Sequence, residues 1–332
     1  MSVPELNPLP RAFAARLHDE RLLQKCTSGG VFTACAEHII GQGGYVCGAV
    51  LTETFSVRHQ LAHDRNGICG MRGSKYVISS VRHLFPDIQR LLGEGQRVLF
   101  SGTPCQVAAL KKFLGVSNDL LLTLDLFCYG VTMEIFWQSY LAYIGEKMKS
   151  PPREILFRYK QDGEKPSCLR IVCTNNRIYS GQLDQDPFYL GFFRNYAIRK
   201  PCFTCPFAAL QREGDISIGD YWGVEAHHPE LDAGNGMSAL LVNSSKGERL
   251  LAEVGDSLDI HPTEIPYVTE RNPCLRHPAA MPLDYDVFQQ DLSRLSFSDL
   301  RRRYLRPRVS PLWRRLLRRL LRRLCGYLPD IR

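Results

Sequence analysis

The chain has 332 residues, 44% of them hydrophobic and 23% charged, and this composition excludes a disordered or fibrous protein. No run reaches the roughly 18–20 apolar residues of a membrane span, and the first residues lack the apolar core of a secretory signal, so we expect a cytoplasmic protein. The net charge of +8 comes from residues 301–332, with 12 arginines and one aspartate; residues 1–300 hold 30 basic and 33 acidic side chains, so we expect no nucleic-acid partner.

The first half of the chain contains one clear supersecondary unit. A helix is predicted over residues 29–40, with Thr27 or Ser28 as its N-cap, and is followed by strands at 45–51 and 57–63 and by a loop at 70–80. The unit itself is a strand, a helix and a strand, which cover Val98–Ser101, Pro104–Gly115 and Leu120–Phe127. Its strands are predicted to be parallel and adjacent, as in a βαβ unit.

The second half is less regular in pattern. It contains a predicted helix at 132–149, three β segments, a short helix at 186–196, a strand in the sequence DISIGDYWG at 215–223, and a last strand and helix before residue 255. We therefore predict an α/β protein whose mixed sheet contains the βαβ unit, as one large domain or two lobes. The predicted division is an N-terminal extension at 1–20, the main domain at 21–300 and an arginine-rich amphipathic tail at 301–332.

Four of the twelve cysteines are candidates for a metal centre. Cys105 and Cys128 follow the two parallel strands, so both thiols are expected at the carboxyl edge of the sheet, where such sheets bind ligands. Cys202 and Cys205 form a C-x-x-C pair, which occurs in zinc, dithiol and iron–sulfur sites alike. Together the four thiolates suffice for a 4Fe–4S cluster, and structural zinc remains the alternative.

The other cysteines have plainer interpretations. Cys35, Cys47, Cys168 and Cys173 follow helix or strand patterns and are predicted to fill the core. Cys26, Cys69 and Cys274 remain unassigned at this stage, and Cys325 lies in the tail.

Three glycine-containing turns are suited to binding phosphate. Residues 27–30 (Thr-Ser-Gly-Gly) precede a helix, as do residues 101–103 (Ser-Gly-Thr), and helix N-termini attract anions. Residues 72–76 (Arg-Gly-Ser-Lys-Tyr) add two cations and an aromatic ring. Ordinary N-caps and a solvated loop are the alternatives. A G-x-G-x-x-G dinucleotide motif is absent from the sequence, as are Walker and H-E-x-x-H motifs.

Six motifs in series resemble those of the coenzyme F420 hydrogenase/dehydrogenase beta-subunit family. They lie between roughly residues 20 and 290, and they are TSGGVF at 27–32, RGSKY at 72–76, SGTPCQ at 101–106, DLFCYG at 125–130, CFTCPF at 202–207 and DISIGDYWG at 215–223. The resemblance implies an iron–sulfur flavoprotein oxidoreductase. Such a protein passes electrons between a 4Fe–4S cluster, FAD and a two-electron acceptor, coenzyme F420 or another small molecule.

The resemblance also implies roles for individual residues. The cluster ligands would be Cys105, Cys128, Cys202 and Cys205. The flavin contacts would be Thr27, Ser28, Gly29, Gly30, Arg72, Ser74, Lys75, Ser101, Gly102 and Thr103. Lys75 is also the predicted catalytic residue, since its charge would stabilise the reduced flavin, and Asp220 and Trp222 would line the same cleft.

Many relatives carry an N-terminal ferredoxin-like segment that this sequence lacks. We therefore expect a separate ferredoxin or electron-donor subunit as partner and a small-molecule acceptor. Two alternatives remain at this stage: a non-catalytic module with four cysteines on zinc, and a membrane-associated scaffold of the same fold.

The tail has a pattern of its own. Residues 311–324 alternate apolar and arginine pairs, which predicts a basic amphipathic helix. Such a helix binds an anionic membrane surface, which would make the protein peripheral at the inner face of the membrane. Alternatively, it docks on the protein or on a partner subunit.

Overall fold

The structure is a computed structural model and describes residues 10–160, 168–231, 234 and 236–307. The predicted amphipathic segment at 311–324 and Cys325 lie outside these residues. Within the described residues, none of the helices combines the length and apolar character needed to cross a membrane.

A mixed sheet of nine strands forms the centre of the fold. Its strands are β1 (Arg11–Leu17), β2 (Tyr45–Leu51), β3 (Val57–Ala62), β4 (Ser79–Ser80), β5 (Val98–Gly102), β6 (Leu121–Leu126), β10 (Ile216–Asp220), β11 (Ser238–Val242) and β12 (Leu258–Thr263). Their order is β12-β1-β11-β10-β6-β5-β2-β3-β4. The four strands β2, β5, β6 and β10 are parallel, and β1, β11 and β12 continue the sheet in antiparallel pairs.

A second sheet is small and antiparallel. It consists of β7 (Pro152–Tyr159), β8 (Cys168–Cys173) and β9 (Ile178–Gln182), in that order. These strands are the three β segments predicted for the middle of the chain. The mixed sheet with its βαβ unit confirms the predicted α/β class.

Twelve α-helices occur in the described residues. They are α1 (Glu20–Gln24), α2 (Val31–Gly41), α3 (Arg65–Cys69), α4 (Phe85–Gly93), α5 (Pro104–Leu114), α6 (Glu134–Met148), α7 (Pro187–Phe193), α8 (Val224–His227), α9 (Ser245–Glu253), α10 (Ile265–Glu270), α11 (Tyr285–Leu292) and α12 (Phe297–Tyr304). Short 3₁₀ helices cover Arg82–Leu84, Lys200–Thr204, Gly255–Ser257 and Pro273–Leu275.

Both faces of the large sheet are covered. Along β5, Leu99 belongs to the hydrophobic cluster that includes α2, whereas Val98 and Phe100 belong to the cluster that includes α4 and α5. Since successive strand residues point to opposite faces, α2 lies on one face and α4 with α5 on the other. This explains why the central strands are almost wholly apolar. The small sheet packs in a separate cluster with α6, α7, α11 and α12.

Sequence patterns missed three strands of the large sheet and misplaced one helix cap. β4 covers only Ser79–Ser80, at the end of the segment predicted as a loop. β1 lies between β11 and β12, within a segment predicted as an extension, and β12 follows the strand predicted to be the last. At α2 the N-cap is Gly30, with a φ of 82°, and it makes no side-chain cap hydrogen bond. The prediction of Thr27 or Ser28 as this cap was therefore wrong, since both hydroxyls bond elsewhere.

Gly29 lies where the neighbouring backbone leaves no room for a side chain. A Cβ there would lie 2.1 Å from the carbonyl oxygen of Ala15 and 2.6 Å from the amide nitrogen of Ser238. We expect Gly29→Ala to lower the free energy of unfolding by about 3 kcal/mol, because backbone atoms of β1 and β11 cannot yield without breaking their pairing. Urea denaturation measures this change.

The matched control is Gly41→Ala at the end of α2. Apart from its chain neighbours and the backbone of its own helix, no atom lies within 4 Å of a Cβ at Gly41, so this change is expected to leave stability equal or raise it by up to about 1 kcal/mol. Equal stability of the two variants would contradict the close packing at Gly29.

Candidate functional site

A cavity of about 520 Å³ opens at the carboxyl ends of the parallel strands. It is lined by the turn after β5, the segment after β6 and the end of β10, and also by Arg158 of the small sheet. This is the edge where open α/β sheets bind ligands. The cavity therefore coincides with the edge predicted from the βαβ unit.

Most of the predicted flavin residues line this cavity. These are Thr27, Ser28, Gly30, Ser74, Lys75, Ser101, Gly102 and Thr103. The two that do not line it have structural partners instead. The amide of Gly29 donates to the Ser238 hydroxyl over 2.9 Å, and Arg72 pairs with Glu37 over 2.5 Å.

Hydroxyl groups tie the lining loops together. The amide of Ser74 donates to the Thr27 hydroxyl over 2.7 Å, which joins the first and second glycine turns. The Ser28 hydroxyl donates to the carbonyl of Met237 over 2.9 Å. At the third turn, Thr103 and Gln106 form a capping box at the start of α5. The cavity rim is thus fixed by bonds within the protein.

Lys75 is the half-buried cation of the second turn. Its Nζ donates to the carbonyl oxygens of Gly70 over 2.7 Å and Arg72 over 2.9 Å. Burial disfavours the charged ammonium and lowers the pKa of Lys75 to about 7. The side chain can consequently gain or lose a proton near neutral pH.

Arg158 is a cavity residue that sequence analysis missed. It lies at an irregularity of β7, where pairing with β8 shifts in register, and it has a φ of 54°. Bulges of this kind redirect a side chain. Its Nη1 donates to the Tyr76 hydroxyl over 3.1 Å and to Asp220 over 2.9 Å, and its guanidinium lies 5.3 Å from the Trp222 ring centroid. In the sequence, only the neighbours of Arg158 indicated this corner of the cavity, namely Tyr76 of the 72–76 turn and the Asp220–Trp222 motif.

His59 is a second residue that sequence analysis missed. Its Nε2 lies 2.9 Å from the carbonyl oxygen of Ser101 and donates to it, and its ring stacks on Phe100. Burial lowers the pKa of His59 to about 4, so the ring is neutral at physiological pH. We interpret His59 as a support for the Ser101 turn.

The cavity wall carries a net positive charge and several aromatic rings. Its charged lining residues, among those described, are Lys75, Arg158, Arg271 and the single carboxylate Asp220. The rings are those of Phe32, Tyr76, Phe127, Tyr129, Phe192, Phe193 and Trp222. This combination favours a ligand that has an anionic part and a flat apolar part.

The four candidate cysteines share one neighbourhood. Burial raises the pKa of Cys128, and the thiols of Cys105 and Cys202 add to this rise because they lie close by. Burial also raises the pKa of Cys202, with Cys205 and Cys105 as neighbours. The backbone N–H groups of Gly130 and Val131 partly offset the rise in pKa of Cys128 and Cys202, respectively. We call these four cysteines the thiol neighbourhood.

The cysteines of the thiol neighbourhood are not arranged to bind a single metal ion. In the described part of the chain, no three His, Cys, Asp or Glu side chains lie close enough to hold one metal ion. The other cysteines behave as expected: Cys35, Cys47, Cys168 and Cys173 are buried, which confirms them as core residues. Cys274, unassigned from the sequence, is buried, lines the cavity and neighbours Cys128.

A sequence profile matches a large part of the chain. It describes the C terminus of the coenzyme F420 hydrogenase/dehydrogenase beta subunit and matches residues 95–266, just over half of the 332 residues. The match includes four of the six motifs entirely, which are those at 101–106, 125–130, 202–207 and 215–223. A search of curated proteins returned no match.

The fold also has a counterpart among solved structures. One chain of a xenon-derivatised F420-reducing [NiFe] hydrogenase complex from Methanosarcina barkeri superposes with a TM-score of 0.55 at 17% sequence identity. The alignment covers 89% of this chain and 92% of that chain. At this identity the likeness establishes a shared fold.

Proposed function

Because the chain belongs to the coenzyme F420 hydrogenase/dehydrogenase beta-subunit family, we propose that it is an iron–sulfur flavoprotein oxidoreductase. Family membership gives it a redox role of the beta-subunit type. In our proposal, electrons pass between a 4Fe–4S cluster, bound FAD and a two-electron acceptor of the coenzyme F420 type or another small molecule. A separate ferredoxin or donor subunit supplies or receives the single electrons.

The cavity supports the flavin part of this proposal. Glycine turns with hydroxyl groups at helix N-termini, together with Lys75, suit a pyrophosphate, and the aromatic wall suits a flat ring. The residues that would hold FAD are those of the three turns that line the cavity. Gly29 and Arg72 would act indirectly, through packing and through the pair with Glu37.

The thiol neighbourhood supports the cluster part. Around a single zinc ion, four thiolates lie about 3.8 Å apart, since each Zn–S bond is about 2.3 Å. In a 4Fe–4S cluster each thiolate binds a different iron, so the four sulfurs stand further apart. The thiols are close enough to affect one another's pKa, but they are not arranged to bind a single metal ion. This arrangement suits a 4Fe–4S cluster better than a zinc ion.

The position of Cys128 is the main observation in support of the proposal. This residue belongs to the thiol neighbourhood and also lines the cavity. A cluster held by Cys128 would therefore lie against a flavin in the cavity, with no protein layer between the two groups. Short separation is what electron transfer between them requires.

The chemistry is divided between the cofactors and the chain. When bound, FAD and the cluster would supply two-electron and one-electron transfer. Lys75 would hold a positive charge near the ring or its phosphates, and it could exchange a proton near pH 7. Arg158, fixed by Tyr76 and Asp220, would add a second positively charged group to the cavity lining.

Anaerobic reconstitution tests the proposal. Purified protein is incubated with iron, sulfide and FAD, and its metal content, flavin content and visible spectrum are measured. We expect about four irons and one FAD per chain, a broad brown absorbance beneath the flavin bands, and dye-linked reduction of coenzyme F420. A colourless protein that retains one zinc would instead identify a structural module.

A further inference from the structure

One buried ion pair lies beside the thiol neighbourhood and has no part in the function above. Arg212 and Asp125 are 1% and 0% exposed, and their closest atoms are 2.8 Å apart. The second carboxylate oxygen of Asp125 accepts the backbone N–H bonds of Glu213 and Gly214, at 3.0 and 2.8 Å. Buried charges persist only when such partners satisfy them.

The remaining donors of Arg212 reach its own loop and one distant segment. Its Nη1 donates to the carbonyl oxygens of Phe207 and Ala209, at 3.2 and 3.1 Å. Its Nη2 donates to the carbonyl oxygen of Leu126 at 2.9 Å, and the guanidinium lies 6.0 Å from the Phe127 ring centroid. One planar group thus joins the end of β6 to the loop after the 3₁₀ helix Lys200–Thr204.

These two segments carry cysteines of the thiol neighbourhood. Phe207 is two residues after Cys205, and Leu126 is two residues before Cys128. A second link joins them on the other side, where the amide of Arg199 donates to the carbonyl of Val131 over 3.1 Å. The C-x-x-C loop is therefore held against the Cys128 segment at both ends.

We propose that Arg212, fixed by Asp125, is a positioning residue that keeps Cys205 and Cys128 within reach of one metal centre. This inference rests on the proposed cluster. A lysine at this position keeps the charge but lacks the planar fork, so it cannot hold Phe207, Ala209 and Leu126 together. If Arg212 served stability alone, Arg212→Lys would impair metal binding only to the extent that it lowered the free energy of unfolding.

Cluster retention by the reconstituted full chain tests the inference without any activity assay. The chain is reconstituted anaerobically with iron and sulfide, and a chelator is then titrated while the bound iron and the visible spectrum of the cluster are followed. We expect Arg212→Lys to release half of its iron at a chelator concentration at least 10-fold lower than wild type, because loss of a group that positions metal ligands weakens metal binding by about this factor or more. Thermal unfolding of the metal-free chain is measured in parallel.

The matched control is Lys246→Met, which removes another charged side chain that is mostly buried against β6. Its Nζ donates to the carbonyls of Asn118 and Leu121 at the opposite end of β6. This variant is expected to lose stability yet to keep the wild-type cluster spectrum and the wild-type resistance to the chelator.

Each outcome bears on a different statement. A wild-type spectrum and wild-type resistance to the chelator in Arg212→Lys overturn the positioning role and leave the proposed function intact. The same loss of iron in Lys246→Met at equal loss of stability also overturns it, because the effect would then be general. A wild-type chain that assembles no cluster overturns both this inference and the proposed cluster.

Discussion

Replacing Cys128 by serine is expected to abolish cluster assembly. Iron after reconstitution should fall from about four atoms per chain to fewer than one, because iron–sulfur clusters depend on soft thiolate ligands. Loss of a supporting group near a metal costs 10–100-fold, so loss of the ligand itself should lower dye-linked activity by more than about 100-fold. Iron analysis and electron paramagnetic resonance measure the first effect.

Cys202→Ser should behave in the same way, and Cys69→Ser is the control. Cys69 is exposed, and its thiol donates to the carbonyl of Arg65 within α3, outside the thiol neighbourhood. The control should retain full iron and activity. Full iron content in Cys128→Ser would remove this residue from the ligand set.

Replacing Lys75 by methionine is expected to weaken FAD binding and to remove its pH dependence. Lys75 has a pKa of about 7, lowered by burial, so the ammonium predominates below pH 7 and the neutral amine above it. Binding of an anionic ligand to the cation should therefore be tight at pH 6 and weaken as pH rises, by up to about 10-fold per unit. Fluorescence titration with FAD measures the Kd at each pH.

At pH 6 the loss of a charged partner should raise the Kd of Lys75→Met by about 10–100-fold, which corresponds to 1.5–3 kcal/mol. Lys160→Met is the control. The pKa of Lys160 is also lowered by burial, to about 8, but its Nζ donates to the carbonyl of Leu23, and it does not line the cavity. An unchanged slope of Kd against pH in Lys75→Met would refute the assignment.

Local sequence patterns were sufficient for the βαβ unit. All of its signals lie within thirty residues. They are the apolar runs of β5 and β6, the Thr103–Pro104 start of α5 and the glycine at 115 that ends this helix. β1 was missed because its sequence, RAFAARL, lacks β-branched residues, and its partners β11 and β12 lie more than 200 residues away. Pairing over such a separation leaves no local signal.

The candidate site could also be predicted only in part. Glycine turns and cysteine motifs are contiguous in the sequence, so they could be recognised there. Whether each of their residues faces the cavity depends on neighbours that are distant in the chain. Glu37 takes Arg72 away from the cavity wall, and Ser238 and Ala15 confine Gly29. Arg158 enters the cavity because the backbone of β7 adopts a positive φ there, which the residue type does not reveal.

The residues themselves determined the α/β class, the parallel pair β5–β6, the family and the order of its six motifs, since each depends on short stretches of chain. The tertiary structure alone decided which motif residues face the cavity and brought Cys202 into the neighbourhood of Cys128. Those outcomes follow from packing and buried charge pairs between segments that are far apart in sequence, where each side chain's surroundings are set by the whole fold.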